Sequence, residues 1–545
     1  MNDLKISILQ SNPIIGDIEE NCNKIIDAIN ESEDADILLT PELSLIGYPP
    51  MDILRRDRMY EVQEEKLQLI KEKTKGLNLC VVVGYCRRDE TGLYNSATVF
   101  RNGQEIKTYD KVLLPTYDVF DGHRYFETGD STGTFKIDDH KVGLTICEDA
   151  WYNVNIMDAK RHKFNPFNKL KEDNPDIILN LSASPYRINK NQERIDLFKE
   201  HAQNTKSTVV FCNQVGGNDE LVFDGNSFIT NEKGETTQLK SFEEDLQMIN
   251  INNINQSKNE ASVASQVRSA VTLGLEDYFN KTGFSKAIVG MSGGIDSTVA
   301  TVLSTEALGK ENVMGVTLPA SVTSKESIDD ARMVANNLGI EFKTIDISEI
   351  ISNIQANFEK QSGENLDGLA YENIQARVRG DILMTLSNKL NALVVTPDNK
   401  SESAIGYCTL YGDTVGAIAP LGDCYKRHVY ELAELYNQTY AEKIIPEQVI
   451  DKKPTAELKP DQYDEKEMPE YEILDTILNQ YVENRMKPQD ITVGVSQDEI
   501  NNIVNKIHRA EFKRNQSPLP IRVTKKDFGR GWRYPIAADY SFLEK

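Results

Sequence analysis

The stretch 286–308, KAIVGMSGGIDSTVATVLSTEAL, constrains this chain more than any other. Positions 287–291 form an apolar run of strand length. Ser292, Gly293 and Gly294 make a turn in which the glycines let the backbone come close to a ligand. Ser297 and Thr298 stand where a helix starts, ahead of an apolar-periodic segment. A strand that runs through such a turn into a helix aims the first helical amides at an anion, and the two hydroxyls add donors. The pattern is a phosphate cradle without being a Walker A loop, which needs Gly-Lys-Ser/Thr after four free positions. Asp296 stands in place of a lysine. A carboxylate beside phosphate oxygens is repelled unless a cation lies between them, so Asp296 reads as a Mg2+ ligand.

The rest of the chain is organised in two halves. From about 260 onward, strands and helices alternate strictly: strand 287–291, helix 297–308, strand 313–317, helix 325–338, strand 342–347, then helix 373–390 and strand 392–396. That rhythm predicts a doubly wound parallel sheet with ligands at the carboxyl ends of its strands. Residues 1–245 carry mixed strands and helices, which predicts a separate layered α/β domain. The polar, Asn-rich stretch 246–262 is expected to link it to a second domain spanning 263–545. The proline-rich, charged run 451–470 is expected to be a mobile loop.

SGGIDST resembles the pyrophosphate loop of ATP pyrophosphatases, which split ATP between the α and β phosphates. The resemblance implies that Gly290, Met291, Ser292, Gly293, Gly294, Ile295, Asp296 and Ser297 hold ATP.

In the first half, Glu42, Lys111 and Cys147 fall at expected strand ends or in adjacent loops. A cysteine nucleophile needs a base, and a cation helps to hold a developing oxyanion. Their contexts, PELSLIGYPP, YDKVLLPTYDVFDGHRYF and ICEDAW, resemble the three signature segments of the nitrilase (carbon–nitrogen hydrolase) superfamily. This implies a four-layer αββα sandwich, with Glu42 as general base, Lys111 as oxyanion stabiliser and Cys147 as nucleophile. NLSASPYRINK resembles the glutamine-amidase branch, which implies that Tyr117, Ser184 and Lys190 hold glutamine. One departure is that Gly122-His123 follows Phe120-Asp121 where related enzymes usually carry a glutamate.

In the second half, YENIQARVRGDILM, TPDNKSESAIGY, TLYGD and KRNQSPLPIRVTKKDFG resemble NAD synthetases. With the first half, the whole sequence looks like that of the glutamine-dependent NAD synthetase family. The resemblance implies ATP contacts at Thr396 and Lys426, and deamido-NAD contacts at Asn373, Arg377, Glu402, Tyr407, Asp413 and Lys513. It places Glu402 beside Asp296 as a second Mg2+ ligand and implies a homo-oligomer. Thr396-Pro397-Asp398 departs from the Gly-Thr or Thr-Gly of relatives, and Pro397 lacks a backbone donor.

Charge and cysteine usage narrow the alternatives. A net charge of −24 argues against nucleic acid or an anionic membrane as partner. No run approaches the length of a membrane span, and MNDLKISILQ reads as a first strand. Seven cysteines without Cys-x-x-Cys suit a reducing cytoplasm and exclude a zinc ribbon. A purine-nucleotide amidotransferase, an RNA-thiolation factor and a scaffold with an inactive amidase half compete with the synthetase reading. The first would carry a different glutaminase, the second suits neither the acidity nor the cysteines, and the third has no use for Glu42, Lys111 and Cys147 together.

Overall fold

The computed structural model describes residues 4–130, 133–152, 164–256, 261–440, 443–455, 457–459, 462–463 and 468–544. It divides into two compact units, Met1–Glu260 and Ala261–Lys545.

The first unit is built on two six-stranded sheets. The strands are β1 (Lys5–Gln10), β2 (Ile37–Leu39), β3 (Cys80–Asp89), β4 (Gly92–Arg101), β5 (Gln104–Asp110), β6 (Phe135–Ile137), β7 (His140–Ile146), β8 (Ile177–Ser182), β9 (Thr208–Asn213), β10 (Val215–Asn218), β11 (Leu221–Asp224), β12 (Phe228–Thr230), β13 (Thr236–Gln238) and β14 (Asp245–Asn250). One sheet has the order β14-β1-β2-β3-β4-β5, the other β13-β12-β9-β8-β7-β6, and β10 and β11 form a separate ribbon. Alternate apolar residues explain why the sheets stack. Ile6, Ile8, Leu39 and Val82 of one pack with Leu144, Leu179 and Val210 of the other in a single buried cluster. Their opposite faces bury Leu38, Val81 and Val83 with Ile25, Ile29, Leu67 and Ile70 of helices Ile18–Glu31 and Asp57–Lys73. On the second sheet Ile178, Val209 and Phe211 pack against Phe167 and Phe198 of helices Pro166–Asp173 and Lys190–Thr205. The result is the expected αββα sandwich.

The sequence reading of a linker from 246 is corrected. Asp245–Asn250 is an edge strand that pairs antiparallel with β1 over its whole length, Lys5 opposite Asn250 and Gln10 opposite Asp245. The polar surface of an edge strand, Asp245, Gln247 and Asn250 among it, is easily mistaken for a connecting segment.

The second unit adds β15 (Ala287–Gly290), β16 (Val313–Thr317), β17 (Glu341–Thr344), β18 (Leu393–Val395), β19 (Ile418–Ala419) and β20 (Leu519–Pro520). All neighbours are parallel, in the order β17-β16-β15-β18-β19-β20. The chain winds outward in one direction from β15 and in the other from β18. The crevice beyond the carboxyl ends of these two strands is therefore the topological switch point, where α/β sheets take ligands. Helices Ser348–Ser362 and Gly368–Leu390 cover one face, with Ile351, Val378 and Leu383 against Ile288, Val316 and Val394. Among the described residues no helix is long and apolar enough to cross a membrane.

Candidate functional sites

Each unit gathers its candidate residues at strand ends. In the first, Glu42 follows β2, Lys111 follows β5, Cys147 follows β7 and Ser184 lies just past β8. Glu42 Oε1 accepts from Lys111 Nζ at 2.6 Å and from Asn95 Nδ2 at 2.7 Å, and its Oε2 accepts the Ala183 amide at 2.9 Å. The ion pair is sealed, with side-chain exposures of 4% for Lys111 and 1% for Glu42. Cys147 is itself buried and has φ 44°, a left-handed conformation uncommon for a residue with a Cβ. Such strain persists only where surrounding contacts hold it. Burial and the nearby Glu42 push the thiol up to about 12, with Lys111 working the other way. Burial also opposes the Lys111 charge, but Glu42 and Cys147 outweigh it and its pKa is raised.

Around this centre lie the other predicted residues. The Tyr117 hydroxyl donates to Glu148 Oε2 at 2.9 Å. Lys190 Nζ stands 3.5 Å above the ring of Trp151. Burial, with Arg187 and Arg194 adding to it, lowers the Lys190 pKa to about 7. Ser184 Oγ accepts from Arg194 Nε at 3.2 Å, and Arg194 pairs with Asp224 at 2.8 Å with both side chains almost wholly buried. Sequence reasoning missed Glu148, although it adjoins Cys147 in ICEDAW. It also missed Asn95, which no motif marks.

In the second unit, the loop after β15 folds as its glycines dictate. Gly293 has φ +84°, and a Cβ there would lie 2.3 Å from the Ser327 carbonyl oxygen. No other residue fits. Ser297 Oγ receives the Ser292 amide at 3.2 Å, and Ser292 Oγ receives the Gly294 amide at 3.2 Å, which closes the turn ahead of helix Ile295–Leu308. A pocket at the switch point is lined by Gly290, Met291, Ser292, Gly294, Ile295, Asp296 and Ser297, with Glu402, Tyr407, Asp413 and Lys426 across from them. Lys426 Nζ bridges two carboxylates, Asp296 Oδ2 at 2.6 Å and Glu402 Oε1 at 3.0 Å. Asn399 Nδ2 holds the other Asp296 oxygen at 2.9 Å, and Tyr471 donates to Glu402 at 2.8 Å. Burial first, and Glu402 as well, raise the pKa of Asp296 against the pull of Lys426.

The remaining predicted residues stand elsewhere. Thr396 is buried behind the wall, its hydroxyl donating to the Val415 carbonyl at 2.6 Å, while Pro397 and Asp398 face the pocket. Asn373 accepts from Thr409 Oγ1 at 2.9 Å, Arg377 donates to the Leu410 carbonyl at 3.2 Å, and Lys513 donates to the carbonyls of Gly406 and Cys408 at 2.8 and 2.7 Å. These three brace the turn that carries Tyr407 and Asp413. On the helix Gly368–Leu390 the pocket-lining residues are Ala376, Arg379 and Leu383, spaced as one helical face. Arg379, which no motif marks, lies on a different face of this helix from Asn373 and Arg377. Its Nε donates to the Leu318 carbonyl at 2.9 Å. No carboxylate among the described residues lies within ion-pair distance of it, and burial lowers its pKa to about 10.

Residues 267–517 match the NAD synthase family model and residues 5–258 the carbon–nitrogen hydrolase model. A glutamine-dependent NAD(+) synthetase from Synechocystis sp. is 40% identical, with 98% of each chain covered. The chain belongs to the glutamine-dependent NAD+ synthetase family. The Thermotoga maritima member of the glutamine-dependent NAD+ synthetases is 37% identical, over 98% of this chain and 99% of its own. A solved glutamine-dependent NAD+ synthetase from Acinetobacter baumannii, in complex with adenosine diphosphate, is 35% identical and superposes with a TM-score of 0.78 over 98% of each chain.

Proposed function

We propose that this chain converts deamido-NAD to NAD, using ATP and ammonia released from glutamine. The observation that carries the reading is that one chain holds both a sealed Cys147–Lys111–Glu42 amidase centre and a glycine-turn anion pocket at a parallel-sheet switch point.

In the first unit, the Cys147 sulfur attacks the side-chain carbonyl carbon of glutamine. The thiol is neutral at rest, so its proton passes to Glu42 as the C–S bond forms. The carbonyl oxygen becomes an oxyanion beside the Lys111 ammonium. Glu42 then gives the proton to the departing nitrogen, ammonia leaves, and a thioester remains. Water, deprotonated by Glu42, hydrolyses it to glutamate and restores the thiol. The carboxylate of Glu148 and the ammonium of Lys190 suit the two charged ends of an α-amino acid substrate.

In the second unit, a carboxylate oxygen of the nicotinate group attacks the α-phosphorus of ATP, and pyrophosphate leaves into the glycine turn. Ammonia attacks the resulting mixed anhydride and AMP departs. The solved relative in complex with adenosine diphosphate supports an adenine nucleotide as a ligand of this chain. Lys426 and Arg379 offset phosphate charge. Asp296 and Glu402 are hard oxygen donors on either side of one cation, a donor set that suits Mg2+ once phosphate oxygens complete it. The described residues bring no third His, Cys, Asp or Glu into a metal-holding group. The ion, when bound, supplies charge neutralisation for the leaving pyrophosphate. Seven cysteines without a disulfide support a reducing compartment, the cytoplasm.

The test is Cys147→Ala, assayed for NAD formation with each nitrogen source. Synthesis from glutamine falls by several orders of magnitude, whereas synthesis at high ammonium stays near the unaltered rate. Continued synthesis from glutamine overturns the role of Cys147.

A further inference from the structure

Asp149 stands two residues beyond the nucleophile and is wholly buried. Each of its oxygens takes two hydrogen bonds, and the donors come from both sides of the amidase centre. Oδ1 accepts the amides of Val112 at 3.1 Å and Leu113 at 2.8 Å, the two residues that follow Lys111. Oδ2 accepts the amide of Ile146 at 2.9 Å, the residue before Cys147, and the hydroxyl of Tyr109 at 2.8 Å, two residues before Lys111. The Lys111 segment is thus gripped fore and aft and tied to the turn in which Cys147 keeps its left-handed φ of 44°.

We propose that Asp149 is a positioning residue for glutamine hydrolysis, setting the Lys111 ammonium and the Cys147 sulfur in one register. The inference rests on Cys147 being the nucleophile. Lys111 has a direct hydrogen bond to Glu42, which fixes its distance from the base. Its height over the carbonyl that Cys147 attacks depends instead on its backbone, and that backbone is held by Asp149. A wholly buried carboxylate with four donors is also an anion placed so that its field favours the charge on Lys111. Burial lifts its pKa to about 6 against the donors and Lys111, so it is largely ionised at neutral pH.

The variant Asp149→Asn keeps the shape and one carbonyl oxygen. Its amide nitrogen must face either the Val112 and Leu113 amides or the Ile146 amide, so one side of the clamp opens. Active sites are titrated with a chloroketone analogue of glutamine, and turnover is expressed per titrated site. Turnover per site falls about 100-fold, the cost of roughly 1 Å of misplacement, with the glutamine KM changed less than about threefold as expected for an interaction that matters in the transition state. Ammonium-driven synthesis is unchanged.

A purely structural role would lower the titratable fraction and leave turnover per site intact, and that result overturns the proposal. Should Asp149→Asn fail to give the folded circular dichroism spectrum, Tyr109→Phe decides. It removes one donor of four, and about fivefold slower turnover per site is expected from the loss of one hydrogen bond. Unaltered turnover in Tyr109→Phe then overturns the proposal. Cys147→Ala run alongside separates the two readings: if it still hydrolyses glutamine, the nucleophile assignment fails and not the clamp alone.

Discussion

Nζ of Lys426 lies 2.6 Å from Oδ2 of Asp296, so the carboxylate that reads as a metal ligand is already paired with a cation of the protein's own. Lys426 is shared between Asp296 and Glu402 before nucleotide arrives, and it must share or release Asp296 when Mg2+ and phosphate enter together.

Asp296→Asn removes one of the two carboxylates and leaves Lys426 with Glu402. Synthesis falls by ~1,000-fold or more with glutamine and with ammonium alike, because charge on the leaving pyrophosphate is offset in both reactions. Calorimetric titration of ATP with and without Mg2+ loses its metal dependence. Near-normal synthesis at unchanged Mg2+ would remove Asp296 from the metal site.

Arg379→Ala withdraws a guanidinium that lines the pocket without a carboxylate partner among the described residues. A hydrogen bond to a charged group contributes about 1.5–3 kcal/mol, so the apparent ATP affinity drops roughly 10- to 100-fold. Glutamine hydrolysis in the other unit keeps its intrinsic rate. Steady-state kinetics with ATP varied would show an unchanged KM if Arg379 faces no part of the nucleotide.

Lys190 gives the first unit a pH dependence of definite sign. Its pKa is lowered to about 7 by burial, Arg187 and Arg194, while Glu193 and Glu148 pull upward. The ammonium is present below that value and lost above it. If it holds the glutamine carboxylate, the KM for glutamine rises as pH increases through 7 to 9, with bound glutamine moving the transition upward. Lys190→Ala has a high KM at every pH in that range. A KM that falls with pH in the unaltered protein would exclude the contact.

Arg194→Ala strips the partner from Asp224, a carboxylate with 1% side-chain exposure. An uncompensated buried charge costs about 3–5 kcal/mol, which corresponds to roughly 10 °C in the melting temperature of a unit this size. The same change frees Ser184 from its donor. Calorimetry should show the first unit melting earlier while the transition of the second stays in place.

The strands that carry chemistry were legible because they are buried on both faces and read as apolar runs. β1 and β16 fall on the residues their patterns predict. Short or polar-edged strands were not. β10 and β11 hide in VGGNDELVFD, and β14 resembles a linker because one of its edges and much of its surface meet water. Residues 456, 460–461 and 464–467 of the expected loop lie outside the described residues. Its described part is tied down: Glu457 accepts from Ser327 Oγ at 2.6 Å and Leu458 from Gln375 Nε2 at 2.9 Å. In the sites, motif residues at strand ends were found, since topology sends those ends to one place. Arg379 and Asp149 were not, because their importance comes from helical phase and from backbone amides that carry no sequence signature.

The pairing of β14 with β1 gives the first unit a timetable. Ile6 pairs on one side with Ile37 of β2, but on the other only with Ile249 of β14. While the chain is being made, one side of β1 stays without a partner until β14 has been added. The sheet is therefore completed last at the strand with which it began, a contact of very high sequence separation and correspondingly slow to form. A nascent chain stalled before that point presents an open strand edge to its neighbours.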